Sequence, residues 1–241
     1  SQIKIVRKNC LCSEKNISLH LRKRLNLKDM KKDKFIITIN REYGSGGREI
    51  AEKLGALLGV KVYDKTLLAR VEEEFGLDEE EVSNAKMKKT SWWSEFSKFY
   101  TQFGSLTGIA KDYNDLTPRD IYAIQKKILL SLAAKESCII VGRAGFHIFK
   151  NNPNALKVLL IADFDARVKH VAEKYDISEA AAKRRIKQVD KDREEYTKTY
   201  AGVSRYDARN YDFVINVTDI PTYHVAAFLA QNAKMKLLKT L

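Results

Sequence analysis

Gly44, Gly46 and Gly47, with Ser45 among them, put three glycines into four residues, and arginines stand at 41 and 48 on either side. Glycines let a backbone fold tightly enough to aim several N–H groups at one anion. Guanidinium groups match phosphate oxygens in geometry as well as charge. The chemistry that this composition suits is therefore phosphate chemistry. Upstream, FIITI is short, apolar and β-branched, which predicts a strand buried on both faces. Downstream, IAEKLGALLG places Ile50, Leu54, Leu57 and Leu58 at helical spacing, the apolar stripe of an amphipathic helix. Strand, glycine loop and helix together bring backbone amides and the partial positive charge of a helix start onto one point. A turn that only packs strand against helix would use the glycines but has no need of the arginines.

The loop approaches the pattern G-x-x-x-x-G-K-[ST] without matching it. With Gly46 as the last glycine, Gly47 stands in the lysine's place. Arg48 and Glu49 follow, where a magnesium-binding Ser or Thr is expected, and Arg41 takes the place of the first glycine. Arg48 and Arg41 are the two candidates to replace the lysine's charge. Arg48 is preferred, because a side chain just inside a helix start leans back over the preceding turn.

The segments NREYGSGGREIAEKL, VYDK and CIIVGRAG, in this order and spacing, resemble the cytidylate kinase-like family, a divergent branch of the P-loop nucleoside monophosphate kinases. The similarity runs from roughly Lys34 to Ala233, and GSGGRE is its most specific piece. It implies an α/β, three-layer P-loop fold: a five-stranded parallel sheet with helices on both faces, a helical substrate-binding insertion at about 78–116, and a lid at about 178–205. It also implies transfer of a phosphoryl group from ATP, with Mg2+ bridging the donor phosphates, to a nucleoside monophosphate such as CMP or dCMP. Gly44, Ser45, Gly46, Gly47 and Arg48 would hold the donor phosphates. Arg143 would hold the acceptor, with Asp64 and Arg70, which match an Asp-to-Arg spacing of ordinary cytidylate kinases. Arg184, Arg185 and Arg193 are the lid arginines that would close over the transferring group. Asp190, Arg193 and Tyr196 form a D-x-x-R-x-x-Y pattern like that of this branch, where ordinary cytidylate kinases carry more arginine and aspartate.

Each of these residues needs an element to position it. VKVY predicts a second strand with Asp64 at its end, a place for a ligand-binding group or for the N-cap of the helix that Lys65 begins. Trp92, Phe96, Phe99 and Phe103 recur on one helical face, which suits core packing or a contact between two copies of the chain; a wall for a base is the sharper alternative. Thr117 and Pro118 read as N-cap and first residue of the helix PRDIYAIQKKILLSLAAK. CIIV predicts a buried strand whose carboxyl end delivers Arg143, to a phosphate or to a surface ion pair. ALKVLLI predicts the fourth strand, with Asp163 capping the helix that follows or, as the family resemblance also allows, approaching magnesium as a strand-end carboxylate. The charged stretch from Ser178 to about Tyr200 reads as one helix, YDFVINV as the last strand, and IPTYHVAAFLAQNAKM as the closing helix.

Composition sets the outer bounds. A chain of 241 residues that is 44% hydrophobic has material for one large core, read here as a single kinase-like domain at 34–241. No run reaches the ~20 apolar residues of a membrane helix, and the four histidines are scattered without metal-ligand spacing. Cys10, Cys12 and Cys138 lack zinc spacing and suit a reducing cytoplasm. Residues 1–33 carry ten Lys/Arg against three Asp/Glu, more than half of the net +13. This basic head contains no Phe, Tyr or Trp to stack on a base, which argues against nucleic acid. A solvated tail is one reading; a non-native leader is the other, since Met30 opens MKKDKFIITI as an ordinary start would. The partners expected are small nucleotides, with no membrane and with a homodimer as one use of the aromatic stripe. A nucleotide-binding protein without turnover is the rival reading, motivated by the missing lysine.

Overall fold

The computed structural model describes residues 34–64 and 118–237. The basic head, Arg70, the aromatic stripe with the rest of the insertion, and the Thr117 cap lie outside the described residues. The chain divides into two compact units, one from Ser1–Val62 and Lys135–Leu241, the other from Tyr63–Ala134. Of the second, the structure describes Tyr63, Asp64 and most of one helix, α2 (Pro118–Lys135), which spans the sequence that the periodicity predicted.

The first unit is built around β1 (Ile36–Arg41), the middle of a five-stranded parallel sheet in the order β2-β3-β1-β4-β5. The other strands are β2 (Lys61–Tyr63), β3 (Cys138–Val141), β4 (Ala155–Ile161) and β5 (Phe213–Asn216). Ile36 is in register with Cys138 on one side and Ala155 on the other, so β1 is hydrogen-bonded along both edges. That explains the uninterrupted apolar run: a central parallel strand has no solvent face.

Helix α1 (Gly47–Leu58) buries Ile50, Leu54, Leu57 and Leu58, as its periodicity requires, and ends on Gly59 in the left-handed region. These side chains join Ile37, Ile39, Val158 and Leu160 and the buried face of α6 (Thr222–Leu237), including Ala226, Leu229 and Ala233, in one core cluster. Each fully buried aliphatic side chain there contributes about 1.5–3 kcal/mol. On the opposite face of β1, Thr38 meets α3 (Gly145–Ile148), where Gly145 leaves just enough room for it. Two further helices, α4 (Phe164–Tyr175) and α5 (Glu179–Ala201), pack through Val168, Val171, Ala182 and Ile186 and enclose Tyr43 of the glycine loop.

Cys138 is fully buried at the start of β3. Burial, and then the nearby Glu136 carboxylate, push its thiol up to about 12. Thiolate is the reactive form, so Cys138 is expected to resist iodoacetamide in the native protein and to react on unfolding; mass spectrometry of a native labelling time course checks this. Among the described residues no helix is long and apolar enough to cross a membrane.

Candidate functional site

The glycine loop leaves the carboxyl end of β1 and enters α1 with Gly46 as N-cap. Gly44 and Gly46 adopt φ of 87° and 74°, conformations that L side chains resist. Gly44 is also closely packed: a Cβ there would lie 2.8 Å from Val171 Cγ2. The Glu42 carbonyl accepts from the Ser45 hydroxyl at 3.0 Å and from the Ser45 N–H at 3.4 Å, which draws the loop into a tight turn. The N–H groups of Gly44, Gly46 and Gly47 have no hydrogen-bond partner among the described residues. Three unsatisfied donors gathered at a helix start form an anion cradle. Ser45, expected among the holders, has its own N–H turned back to Glu42.

A carboxylate on α5 fixes the loop. Asp190 Oδ1 accepts the Tyr43 N–H at 2.9 Å, and its Oδ2 accepts Arg167 Nη1 at 2.6 Å. Arg205 and Arg193 add Nη1 groups 3.6 and 3.8 Å from the same carboxylate. Arg167 also donates to the Tyr43 and Ala162 carbonyls, at 3.2 and 3.0 Å, and stands 3.6 Å from Glu42. The Arg41 carbonyl accepts from Arg193 Nη1 at 3.2 Å and from Arg205 Nη2. Arg205 is wholly buried, and its Nε and Nη1 have no hydrogen-bond partner among the described residues. Three guanidinium groups thus meet the carboxylates of Asp190 and Glu42, and a third carboxylate, Glu194, accepts the Arg205 N–H at 3.0 Å. Burial, and then the neighbouring Arg205 charge, push the Arg193 guanidinium down to about 10.

The positions of the other expected residues are mixed. Arg41 lies with its Cβ and Cγ 2.8 Å from where a Cβ on Gly47 would stand, and its Nη1 lies against Gly142 at the end of β3. Arg143 follows in the middle of a left-handed run: Gly142, Arg143 and Ala144 have φ of 80°, 56° and 50°. Two non-glycine residues in that region are costly, and such strain collects at ligand sites. Arg48 does not lean back over the loop. Its Nε donates to Glu52 Oε1 at 3.0 Å along the exposed side of α1, since Glu52 lies one turn onward on the same face. Arg185 places its guanidinium 4.1 Å above the Tyr175 ring and 5.6 Å from that of Tyr43, while Arg184 is exposed. Asp64 directly follows β2 and is buried. Asp163 occupies the N-cap of α4, but its side chain makes no cap; Asn216 Nδ2 donates to it at 3.2 Å instead. The structure therefore gathers the loop, Arg41, Arg193 and the Gly142–Arg143 turn, and leaves Arg48 aside. Asp190 carried a visible spacing in the sequence but no assigned role; Arg167 and Arg205 carried no signal.

Among the described residues, no three His, Cys, Asp or Glu side chains converge as a metal cage. Glu49, one residue past the place of the magnesium-binding hydroxyl, accepts from Thr222 Oγ1 at 2.8 Å and from Lys53 at 3.1 Å. Burial alone would raise its carboxyl, but those two partners hold it below the usual range. The donor set fits magnesium that arrives on a nucleotide's phosphates, which needs one or two protein ligands at most.

Residues 36–219 match the model of the cytidylate kinase-like family. An uncharacterized protein from Eubacterium ventriosum has a similar structure, with TM-score 0.60 at 25% identity over 83% of this chain and 98% of that one. Shikimate kinase from Acinetobacter baumannii, in complex with shikimate, gives TM-score 0.45 at 12% identity, over 89% of this chain and 98% of its own. A gluconokinase from Sinorhizobium meliloti gives TM-score 0.45 at 12% identity, over 86% and 99%. No curated protein matches the chain.

Proposed function

The chain belongs to the cytidylate kinase-like family, and on that premise we propose that it transfers the γ-phosphoryl group of ATP to a nucleoside monophosphate, with CMP or dCMP as the preferred acceptor. The observation that carries this reading is the set of unpartnered N–H groups of Gly44, Gly46 and Gly47 at the start of α1. Those donors take the β- and γ-phosphates of ATP. Phosphoryl transfer suits such a site because positioning and charge neutralisation do nearly all of the work. An oxygen of the acceptor's phosphate attacks phosphorus, a new P–O bond forms, and the bond to the β–γ bridging oxygen breaks, so that ADP leaves with the electron pair. The acceptor's phosphate is largely ionised at neutral pH, so no general base is required. Arg41 and Arg193 are the cations proposed for the charge that develops; Arg48 would join them only by leaving Glu52. Arg143 is proposed for the acceptor's phosphate, a role that the family resemblance extends to Asp64 and Arg70. Arg184 and Arg185 are proposed as the part of the lid that closes from α5. Magnesium on the donor phosphates would neutralise part of their charge, held chiefly by the nucleotide itself.

A second reading, nucleotide binding without turnover, is favoured by one feature. Gly47 replaces the lysine, and Arg48, a cation, stands in the place of the metal-binding hydroxyl. The two readings separate in one assay: purified protein, ATP and magnesium with a panel of CMP, dCMP, UMP, AMP and GMP, measuring ADP release. Acceptor-dependent release, greatest with a cytidylate, is the expected result. Saturable ATP binding with no release above the acceptor-free rate favours the second reading.

A further inference from the structure

Two glycines at this site are kept free of side chains by one arginine. A Cβ at Gly47 would stand 2.8 Å from both Cβ and Cγ of Arg41, and a Cβ at Gly142 would run into Arg41 Nη1. The stem of Arg41 therefore fills the space over the first residue of α1, and its head lies at the carboxyl end of β3. Gly47 is the position at which the G-x-x-x-x-G-K-[ST] pattern carries its phosphate-binding lysine. Arg41 occupies the position of that pattern's first glycine. The long cationic chain and the glycine have changed places.

We propose that Arg41 and Gly47 are a reciprocal exchange, in which Arg41 is the catalytic cation of the loop and excludes any side chain from position 47. The proposal rests on the phosphoryl-transfer reading and adds to it the residue that replaces the lysine. Arg41 enters the cradle from the strand side, whereas a lysine would enter from the helix side. Its stem covers Gly47, whose N–H is unpartnered among the described residues, and its guanidinium lies against Gly142, at the start of the Gly142–Arg143 turn. From there it can bond two oxygens at once, one on the γ-phosphoryl group and one on its neighbour along the transfer line. Arg193 and Arg205 both donate to the carbonyl of Arg41 and so fix the backbone from which it projects. Arg48, the other candidate, is directed along α1 to Glu52.

An exchange makes a prediction that a merely helpful arginine does not: moving the charge back should restore function. The experiment compares the parent with Arg41→Gly, Gly47→Lys and the double variant Arg41→Gly/Gly47→Lys. Arg41→Met is added to keep the aliphatic stem over Gly47 while removing the charge. Two quantities are measured: turnover with the best monophosphate, and the ratio of affinities for a non-hydrolysable ATP analogue and for ADP by calorimetry. Melting temperatures show which variants fold. Loss of one charge-stabilising donor lowers kcat by about 10²–10³-fold, and that drop is expected for Arg41→Gly and Arg41→Met alike. Gly47→Lys alone should lose nucleotide affinity, because the lysine and Arg41 cannot share the space. The double variant should turn over at least about tenfold faster than either single variant and should regain the preference for triphosphate over diphosphate.

A folded double variant no better than the poorer single variant overturns the exchange, as does a full parental rate in Arg41→Met. A parent that binds the ATP analogue without turnover defeats the transfer reading, while the affinity ratios still decide the exchange. A parent that binds neither nucleotide defeats both.

Discussion

Asp190→Ala should lower the stability of the fold by about 3–5 kcal/mol, the cost of removing one partner of a buried ion-pair network. The carboxylate is the shared acceptor of the Tyr43 N–H and of Arg167, with Arg193 and Arg205 within 4 Å. Without it, three guanidinium groups face Glu42 alone, and Arg205 lies in a site with no exposure to water. The Tyr43 N–H is orphaned as well. Asp190→Asn should cost less than the alanine change, because the amide oxygen still accepts from Tyr43. Glu52→Ala is the contrast: its pair with Arg48 is exposed, and such pairs contribute about 0–1 kcal/mol. Urea unfolding of the three variants measures this order. A cost for Asp190→Ala no larger than that for Glu52→Ala would show that the network does not hold the loop.

The second large effect is on ligand binding. Gly46→Val is expected to reduce ATP affinity by more than ~10²-fold while the protein still folds. Gly46 has φ of 74° and offers one of the three unpartnered N–H groups, so a β-branched residue there either strains the backbone or re-aims its donors. Strain of this kind costs about 1–3 kcal/mol, which a core of this size absorbs. The loop amides cannot move without leaving the anion. Calorimetric titration with ATP and magnesium reads the loss, and circular dichroism reads the fold. Unchanged affinity in a folded Gly46→Val protein would remove the glycine loop from the nucleotide site.

The elements were largely readable because they rest on periodicity. The α1 stripe, the apolar runs of β3 and β4, and the start of α5 at Ser178, whose side chain accepts from the Ala181 N–H, all follow local rules. β1 runs two residues past the apolar segment to Arg41 because Asn40 and Arg41 still pair with Leu159 and Leu160, a partner that the sequence does not display. Helix α3, four residues long, is too short for any period to show. Within the site, the glycine loop was legible and its support was not. Asp190 and Arg205 reach Tyr43 and Arg41 across 147 and 164 residues, and no local pattern reports contacts of that range. Arg48 was read as leaning over the loop, and the local signal that decides otherwise is an acid, Glu52, four residues on along the same helix. Arg41 is the instructive case: its type announced a phosphate ligand, but only the clearance over Gly47 shows what it displaces.

The central claim is that the loop amides of Gly44, Gly46 and Gly47 hold the donor phosphates. Amide nitrogen–proton NMR during titration with ATP and magnesium tests it most directly. These three signals should move first and furthest, saturate together with calorimetric binding, and move less with adenosine, which has no phosphate. Saturable ATP binding that leaves all three amides unmoved would contradict the account.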